Sequence, residues 1–165
     1  MHIYLLRHGI AEDGSPTVDD RDRALTEEGR KRLQRAAPAW RQLVETPEVV
    51  LVSPLRRAIE TAAVFREAVR FPGEPRIEDA LVPPAPSNLC MNLLEAEAYS
   101  GVNSVAVIGH EPHLGYLLGH LLTGHPRQPI PLKKGMLVGV ETASSASLIA
   151  ALRFALTQKT AAQLA

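Results

Sequence analysis

The sequence predicts an α/β fold in which helices cover both faces of a mostly parallel sheet. Three short apolar runs rich in β-branched residues, HIYLL at 2–6, EVVLV at 48–52 and SVAVI at 104–108, have the composition of strands buried on both faces. A segment with helical patterning follows each run. Repeated alternation of strand and helix is typical of parallel sheets, so we expect a three-layer α/β/α sandwich.

Length and charge balance restrict the class of protein. The 165 residues, 45% of them hydrophobic, suit one domain, which we expect over 1–156, with a loose C-terminal tail over 157–165. Lysine plus arginine (18) equal aspartate plus glutamate (18), so we expect neither nucleic acid nor a membrane as partner. A single cysteine, Cys90, excludes an internal disulfide and fits a cytoplasmic protein, and the lack of long heptads favours a monomer.

Capping signals place the first two helices between the predicted strands. Thr26, followed by two glutamates, is a suitable N-cap for a helix over roughly 27–44. Ser53 as N-cap and Pro54 at the first helical position predict a second helix that ends near residue 70.

Two further helices and a hairpin complete the predicted order. Ser87 precedes a helix near 88–98, and leucines at helical spacing predict another from Glu111 and Pro112 to Gly124. The apolar runs MLVGVE and SLIAALRF, separated by ASSA, predict a β-hairpin.

Polar residues follow the ends of all three predicted strands. Arg7, His8 and Gly9 follow the first, SPLRRA at 53–58 follows the second, and GHEP at 109–112 includes the end of the third. Ligands of such sheets bind beyond the carboxyl ends of the strands, so these segments should meet at one edge. Arginine matches the oxygens of a phosphoryl group, glycine permits close approach, and histidine can act as a nucleophile. The sequence therefore predicts a phosphate pocket.

Three segments resemble the signatures of the histidine phosphatase superfamily. LLRHG, SPLRRAIET and VIGHEP have the order of the family's RHG, SxxxRAxxT and late histidine, and DRDRALTEEG is similar to its RxLTxxG. The small size and the lack of a large insertion resemble the SixA-type phosphohistidine phosphatases. The resemblance covers the chain to about residue 120 and implies a phosphoglycerate mutase-like fold.

The resemblance also implies a role for each matching residue. His8 would be the nucleophile that becomes transiently phosphorylated, while Arg7, Arg57 and His110 would hold the phosphoryl oxygens. Arg57, rather than Arg56, matches the arginine that precedes alanine in the family motif. Cations around the phosphoryl group would stabilise the charge on its oxygens during transfer to a neutral imidazole. We therefore expect hydrolysis through a phospho-His8 intermediate, without a metal or another cofactor.

The middle of the chain indicates which kind of phosphate bond the protein cleaves. Superfamily members that act on phosphate esters are expected to carry an acid in an inserted segment, which protonates the departing alkoxide. Here the region is short, and Glu78 and Asp79 form no recognisable acid motif. Imidazole, whose conjugate acid has a pKa of about 6.5, leaves phosphohistidine without such help. We therefore expect a phosphohistidine-bearing protein as substrate, of which a histidine phosphotransfer domain is one kind.

Two alternatives to a phosphohistidine phosphatase remain open. A small-molecule phosphomonoesterase or mutase of the same superfamily would use Glu78 or Asp79 as its acid. A non-catalytic phosphate-binding module would keep the pocket without the reaction, although two histidines in one pocket argue against a pure binder.

The roles of other charged residues are less specific. Arg23 either anchors its loop or contacts the pocket, and Lys133 and Lys134 belong either to the pocket rim or to a solvated turn. Arg56 suits a solvated helix face. The sequence HEPH, which ends at His113, lacks the spacing of HExxH and therefore does not predict a metal site.

Overall fold

A six-stranded sheet organises the part of the chain that the structure, a computed structural model, describes: residues 1–83, 85–144 and 147–164. In chain order the strands are β1 (His2–Arg7), β2 (Val49–Val52), β3 (Arg76–Ile77), β4 (Ser104–Gly109), β5 (Leu137–Ser144) and β6 (Ser147–Leu156). Their order across the sheet is β3-β2-β4-β1-β5-β6. The first four strands are parallel to one another, and β5 is antiparallel to both of its neighbours, β1 and β6. The predicted mostly parallel sheet is confirmed.

Helices cover both faces of this sheet. On one face lie α1 (Glu27–Leu43), α2 (Arg56–Val69) and α5 (Gln158–Leu164), and on the other lie α3 (Asn88–Tyr99) and α4 (His113–Thr123). The alternation within β1 builds both layers, because Tyr4 and Leu6 pack with the first group while Ile3 and Leu5 pack with the second. This is the expected three-layer α/β/α sandwich. None of the described helices is both long and apolar enough to cross a bilayer.

The start of α1 is fixed by the segment that follows β1. Thr26 is the N-cap: its hydroxyl accepts a hydrogen bond from the N–H of Gly29 at 2.9 Å, and its own N–H donates to the carbonyl of Ile10 at 2.9 Å. A Cβ on Gly29 would lie 2.1 Å from that carbonyl oxygen, so only glycine allows this approach. From there α1 runs without interruption through Pro38.

Two predicted boundaries are wrong. α2 begins at Arg56, and its N-cap is Leu55, so Ser53 does not cap it. The segment after residue 156 is not a loose tail, because Gln158–Leu164 forms α5, in which Ala161 is fully buried in the core that α1 also lines.

The last two strands form the predicted antiparallel hairpin, with β5 paired to both β1 and β6. Of the connection ASSA, residues 145 and 146 lie outside the described residues.

The carboxyl ends of three adjacent parallel strands meet at one edge of the sheet. β4 lies between β2 and β1 and pairs with both along its length. The backbone pairing continues one residue beyond the strands, since the N–H of His8 donates to the carbonyl of Gly109 at 3.0 Å and the N–H of Ser53 donates to Ile108 at 3.0 Å. The residues that follow these strands are therefore held beside one another.

Candidate active site

His8 is oriented by a hydrogen bond to its neighbour. Its Nδ1 lies 2.7 Å from the carbonyl oxygen of Gly9, and because a carbonyl only accepts, Nδ1 carries the proton and Nε2 the lone pair. Burial is the largest cause that lowers the pKa of the ring to about 4. The cations Arg57, Arg7 and Lys134 add to this effect, against the opposing hydrogen bond. His8 is therefore neutral at neutral pH, with Nε2 able to act as a nucleophile.

The backbone beside His8 is held by α2. The N–H of Gly9 donates to Oγ1 of Thr61 at 3.1 Å, and the Thr61 hydroxyl donates to the carbonyl of Arg57 at 2.7 Å. A Cβ on Gly9 would lie 2.8 Å from the side chain of the fully buried Leu33. A side chain at position 9 would thus force Leu33 of α1 to shift. The threonine of SPLRRAIET connects the segment after β1 to α2.

Arg7 is braced by the loop that precedes β5. Its Nη1 donates to the carbonyl of Leu132 at 2.7 Å, and the N–H of Leu132 donates to Oε1 of Glu111 at 3.0 Å. Its Nε is buried and has no partner in the described part of the chain. Burial lowers the pKa of Arg7, but an arginine keeps its charge at neutral pH. The guanidinium can therefore still donate to an anion.

Arg57 lies in the first turn of α2 and is 3% exposed. Its Nη1 donates to the backbone carbonyl of Asp20 at 2.7 Å, and its Nη2 donates to the Asp20 carboxylate at 3.0 Å. Burial raises the pKa of Asp20, but the hydrogen bonds from Arg57 and Arg23 together outweigh it, so the net shift is downward. Asp20 is therefore ionised at neutral pH.

Arg23 anchors the loop that carries Asp20. Its Nε donates to Oδ1 of Asp20 at 2.8 Å, and its Nη1 donates to the carbonyl of Glu12 at 2.8 Å. Asp20 begins a short 3₁₀ helix, Asp20–Asp22. Of the two interpretations of Arg23, loop anchoring is the one that these contacts support.

His110 directly follows β4 and is 2% exposed. Its ring lies beside that of His8, with 4.9 Å between the centroids. Its Nε2 is 2.8 Å from Oγ of Ser53, whereas its Nδ1 is buried with no partner among the described residues. Burial is the main cause that lowers the pKa of His110 far below its ordinary value, with contributions from His8 and Arg57. The ring is therefore neutral at neutral pH.

The structure thus brings the four predicted site residues, Arg7, His8, Arg57 and His110, to one edge of the sheet. Two guanidinium groups act electrostatically on the neutral His8 ring, and a second imidazole packs beside it. Such a group can bind the oxygens of a phosphoryl group and present a nitrogen nucleophile to its phosphorus.

Neither of the two carboxylates considered as general acids contacts the site within the described residues. Oε1 of Glu78 accepts from Nε of Arg76 at 2.6 Å, and Arg76 also pairs with Glu97 of α3. Asp79 is exposed at the start of a second 3₁₀ helix, Asp79–Leu81. No hydrogen bond or ion pair within the described residues joins either carboxylate to the site.

Three residues near the site are absent from the predicted set. Ser53 contacts His110, Asp20 contacts Arg57, and Lys134 contributes to the lowered pKa of His8. The position of Ser53 directly after a strand could have placed it in the site. Asp20 has no such signal, because it lies in a run of similar acidic and basic residues.

Two other residues have structural roles. Nε2 of His113 lies 2.5 Å from the carbonyl of Ala85 and so connects α4 to the segment before α3. Arg56 is exposed and pairs with Glu60 at 3.0 Å, as expected of a solvated helix face.

Comparison with known proteins identifies the family. A sequence profile of the histidine phosphatase superfamily (branch 1) matches residues 3–82. The phosphohistidine phosphatase SixA of Escherichia coli is 34% identical over 124 residues, which are 75% of this chain and 76% of that protein. The chain belongs to the histidine phosphatase superfamily.

Further comparisons agree with membership of this superfamily. An uncharacterised protein of Picosynechococcus sp. is 30% identical over 145 residues, which cover 88% of this chain and 87% of that protein. A solved structure of the protein histidine phosphatase SixA complexed with tungstate has a TM-score of 0.83 and 28% identity, covering 96% of this chain and 98% of that one. The chain is a SixA-like hydrolase of the histidine phosphatase superfamily, with its phosphoglycerate mutase-like fold.

Proposed function

We propose that this protein is a phosphohistidine phosphatase that removes the phosphoryl group from a histidine of another protein. The observation that carries the proposal is the state of His8, a neutral ring whose Nδ1 proton is held by Gly9 so that Nε2 keeps its lone pair. Arg7 and Arg57 supply positive charge around it. SixA of Escherichia coli, a relative at 34% identity, is a phosphohistidine phosphatase by name.

The reaction proceeds in two transfers. Nε2 of His8 forms a bond to phosphorus while the P–N bond of the substrate breaks, and the electron pair of that bond leaves with the substrate imidazole, which takes a proton from solvent. Arg7, Arg57 and His110 donate hydrogen bonds to the phosphoryl oxygens, where charge accumulates. Water then attacks phosphorus, its proton passes to solvent, and the electron pair of the second P–N bond returns to Nε2 as phosphate leaves.

The preference for phosphohistidine follows from the state of the nearby carboxylates. Asp20 is ionised beside Arg57 and has no proton to give, and Glu78 is bound to Arg76. An alkoxide leaving group needs a proton from an acid, whereas imidazole, with a conjugate-acid pKa of about 6.5, departs readily near neutral pH. The site therefore favours cleavage of a P–N bond over that of an alkyl phosphate ester.

A basic rim beside His8 supports a protein as the substrate. Lys133, Lys134 and Lys159 line an open groove together with Ile10, which lies two residues after the nucleophile. Among the described lysines only Lys31 forms an ion pair, so the charges of this rim are available to a partner. A large, acidic phosphoprotein fits this surface, and a histidine phosphotransfer domain is one partner of that kind.

A series of leaving groups tests the proposal. We expect a phosphohistidine-bearing protein and phosphoramidate to be hydrolysed well, an aryl phosphate weakly, and a serine or sugar phosphate hardly at all. Glu78→Gln and Asp79→Asn should leave this order unchanged. Efficient hydrolysis of an alkyl phosphate that depends on either carboxylate would establish the small-molecule phosphatase instead.

Trapping of the intermediate tests the nucleophile. Brief incubation with labelled phosphoramidate, followed by a quench that avoids acid, should leave phosphate on Nε2 of His8 that is lost in acid and stable in alkali. His8→Ala should abolish both label and turnover, and a chelator should change neither in the unaltered protein. Phosphate binding without any turnover would favour the binding module.

A further inference from the structure

We propose that Ser53 is a positioning residue that places the ring proton of His110 on Nδ1, from which it is donated to the phosphoryl group. The proposal rests on the proposed function for the identity of the group that receives this hydrogen bond. The position of the proton in the free protein can be measured independently of any activity.

Ser53 is held rigidly next to His110. It is fully buried directly after β2, and its N–H donates to the carbonyl of Ile108 at 3.0 Å. Its Oγ lies 2.8 Å from Nε2 of His110, and the N–H of Leu55 points to the same oxygen at 3.4 Å. The hydroxyl therefore has two neighbours, one of which can only donate.

The number of available protons determines whether the Ser53 hydroxyl or Nε2 of His110 donates the hydrogen bond between them. A serine hydroxyl has one proton to donate, and Leu55 already donates to its oxygen. If Nε2 of His110 donated as well, the hydroxyl proton would have no acceptor among the described residues. If the hydroxyl donates to Nε2 instead, the hydroxyl and Nε2 are both paired and the single proton of the neutral ring lies on Nδ1. The first arrangement leaves the hydroxyl proton and the Nδ1 lone pair unpaired among the described residues, whereas the second leaves only the Nδ1 proton, which a ligand can accept.

The other ring nitrogen of His110, Nδ1, can donate that proton to a ligand. Nδ1 of His110 is buried with no partner among the described residues, in a ring 4.9 Å from that of His8. A lone pair on Nδ1 would repel a phosphoryl oxygen, whereas an N–H would donate to it. A buried donor without a partner is unfavourable until a ligand accepts from it, which is the arrangement expected of a binding site.

Nitrogen NMR of the histidine rings of the whole protein gives the direct test. At neutral pH the resonances of His110, assigned by comparison with His110→Gln, should show a protonated Nδ1 and an unprotonated Nε2. Ser53→Ala should move the proton to Nε2 or divide it between the two nitrogens. A protonated Nε2 in the unaltered protein would overturn the proposal, whether or not the protein proves to be a phosphatase.

Kinetics then test whether the proton matters. Residues that fix a histidine tautomer at metal sites are worth about 10- to 100-fold, and we expect Ser53→Ala to lower kcat on phosphoramidate by a similar factor. It should also weaken the binding of inorganic phosphate, while Ser53→Thr, which keeps the hydroxyl, should retain most of both. Ser87→Ala is the control, because the Ser87 side chain forms no hydrogen bond at the start of α3.

A double-mutant cycle separates this role from a purely structural one. In the His110→Ala background, Ser53→Ala should have little further effect on kcat or on phosphate affinity, because its partner is already gone. An undiminished effect in that background would contradict the proposal. If Ser53→Ala fails to fold, Ser53→Thr and the NMR measurement on the unaltered protein still decide it.

Discussion

The carboxylate of Asp20 lies 3.0 Å from Nη2 of Arg57, a residue with only 3% of its surface exposed. The backbone carbonyl of Asp20 binds Nη1 of the same guanidinium. Carboxylate and phosphoryl oxygens bind arginine in the same way, so Asp20 occupies donors that a phosphoryl group would use. Asp20 therefore offsets the charge of the arginine that we propose binds the phosphoryl group.

Replacing Asp20 by asparagine should strengthen the binding of inorganic phosphate. The change removes a negative charge that competes for Arg57, and because such partly exposed pairs are worth about 0.2–1 kcal/mol, the gain should be at most about fivefold. Calorimetry at low salt measures it, and added salt should reduce it. Asp22→Asn is a matched control in the same short helix. Weaker binding in Asp20→Asn would mean that the carboxylate aligns Arg57 instead of competing for it.

Adjacent arginines at the start of α2 should differ sharply in their effect on catalysis. Arg57→Ala removes a buried guanidinium that we propose donates to the transferring phosphoryl group, and it should lower kcat/KM by roughly 100-fold or more. Arg56→Ala removes an exposed side chain that pairs with Glu60, so we expect little change. Steady-state kinetics on phosphoramidate, with thermal unfolding as a check on folding, measure both. Similar losses in the two variants would disprove the assignment of Arg57 to the phosphate.

The ring of His8 should remain neutral well below the pH at which an ordinary histidine becomes charged. Its pKa is lowered to about 4, mainly by burial, so its NMR signals should not titrate near the usual value of about 6.5. Signals that are constant down to a pH of about 5 would agree with this. A midpoint near the ordinary value would show that the ring is hydrated and its nucleophile partly protonated at neutral pH.

The same shift makes stability depend on pH. Between about 4 and the unfolded value of about 6.5, the unfolded chain binds a proton at this position that the folded chain does not bind. The free energy of unfolding should therefore fall as the pH falls through this range, and should be independent of His8 above it. Denaturant titrations at several pH values give the free energy of unfolding as a function of pH. In His8→Asn this free energy should change less with pH between about 4 and 6.5 than in the unaltered protein, and an identical pH dependence would contradict the lowered pKa.

Thr61→Val should destabilise the fold as well as the site. The two side chains have similar shapes, but valine leaves the N–H of Gly9 and the carbonyl of Arg57 without the hydroxyl, and an unsatisfied buried group costs about 1–3 kcal/mol. Denaturant unfolding measures the loss, and Thr61→Ser should restore most of it. An unchanged midpoint in Thr61→Val would show that water or a backbone shift replaces the hydroxyl.

The parts of the molecule that could be predicted depend on local sequence. β1, β2 and β4 are short apolar runs. Arg7 ends β1, and His8 and His110 directly follow β1 and β4, so strand assignment alone places them together. Arg57 follows its strand by only five residues, within the first turn of α2.

The rest depends on contacts between distant segments. Ser53 has the local signature of a cap, but a histidine 57 residues away binds its hydroxyl. α5 has seven residues, too few for a stable isolated helix, and it forms because Ala161 enters the core beside α1. Asp20 reaches Arg57 from a loop that Arg23 anchors. None of these contacts leaves a periodic pattern in the sequence.

The place of β1 in the sheet makes its pairing depend on segments far along the chain. Its two neighbours, β4 and β5, come late in the chain, with His2 pairing with Ser104 and Glu141. A long loop must close before this strand gains any backbone pairing, so we expect slow folding, with an apolar edge open to aggregation in the meantime. The proposed phosphate site therefore assembles only when β1, β2 and β4 lie side by side. Phosphate affinity should consequently report the pairing of these three strands, and partly folded chains without it should not bind phosphate even where their helices have formed.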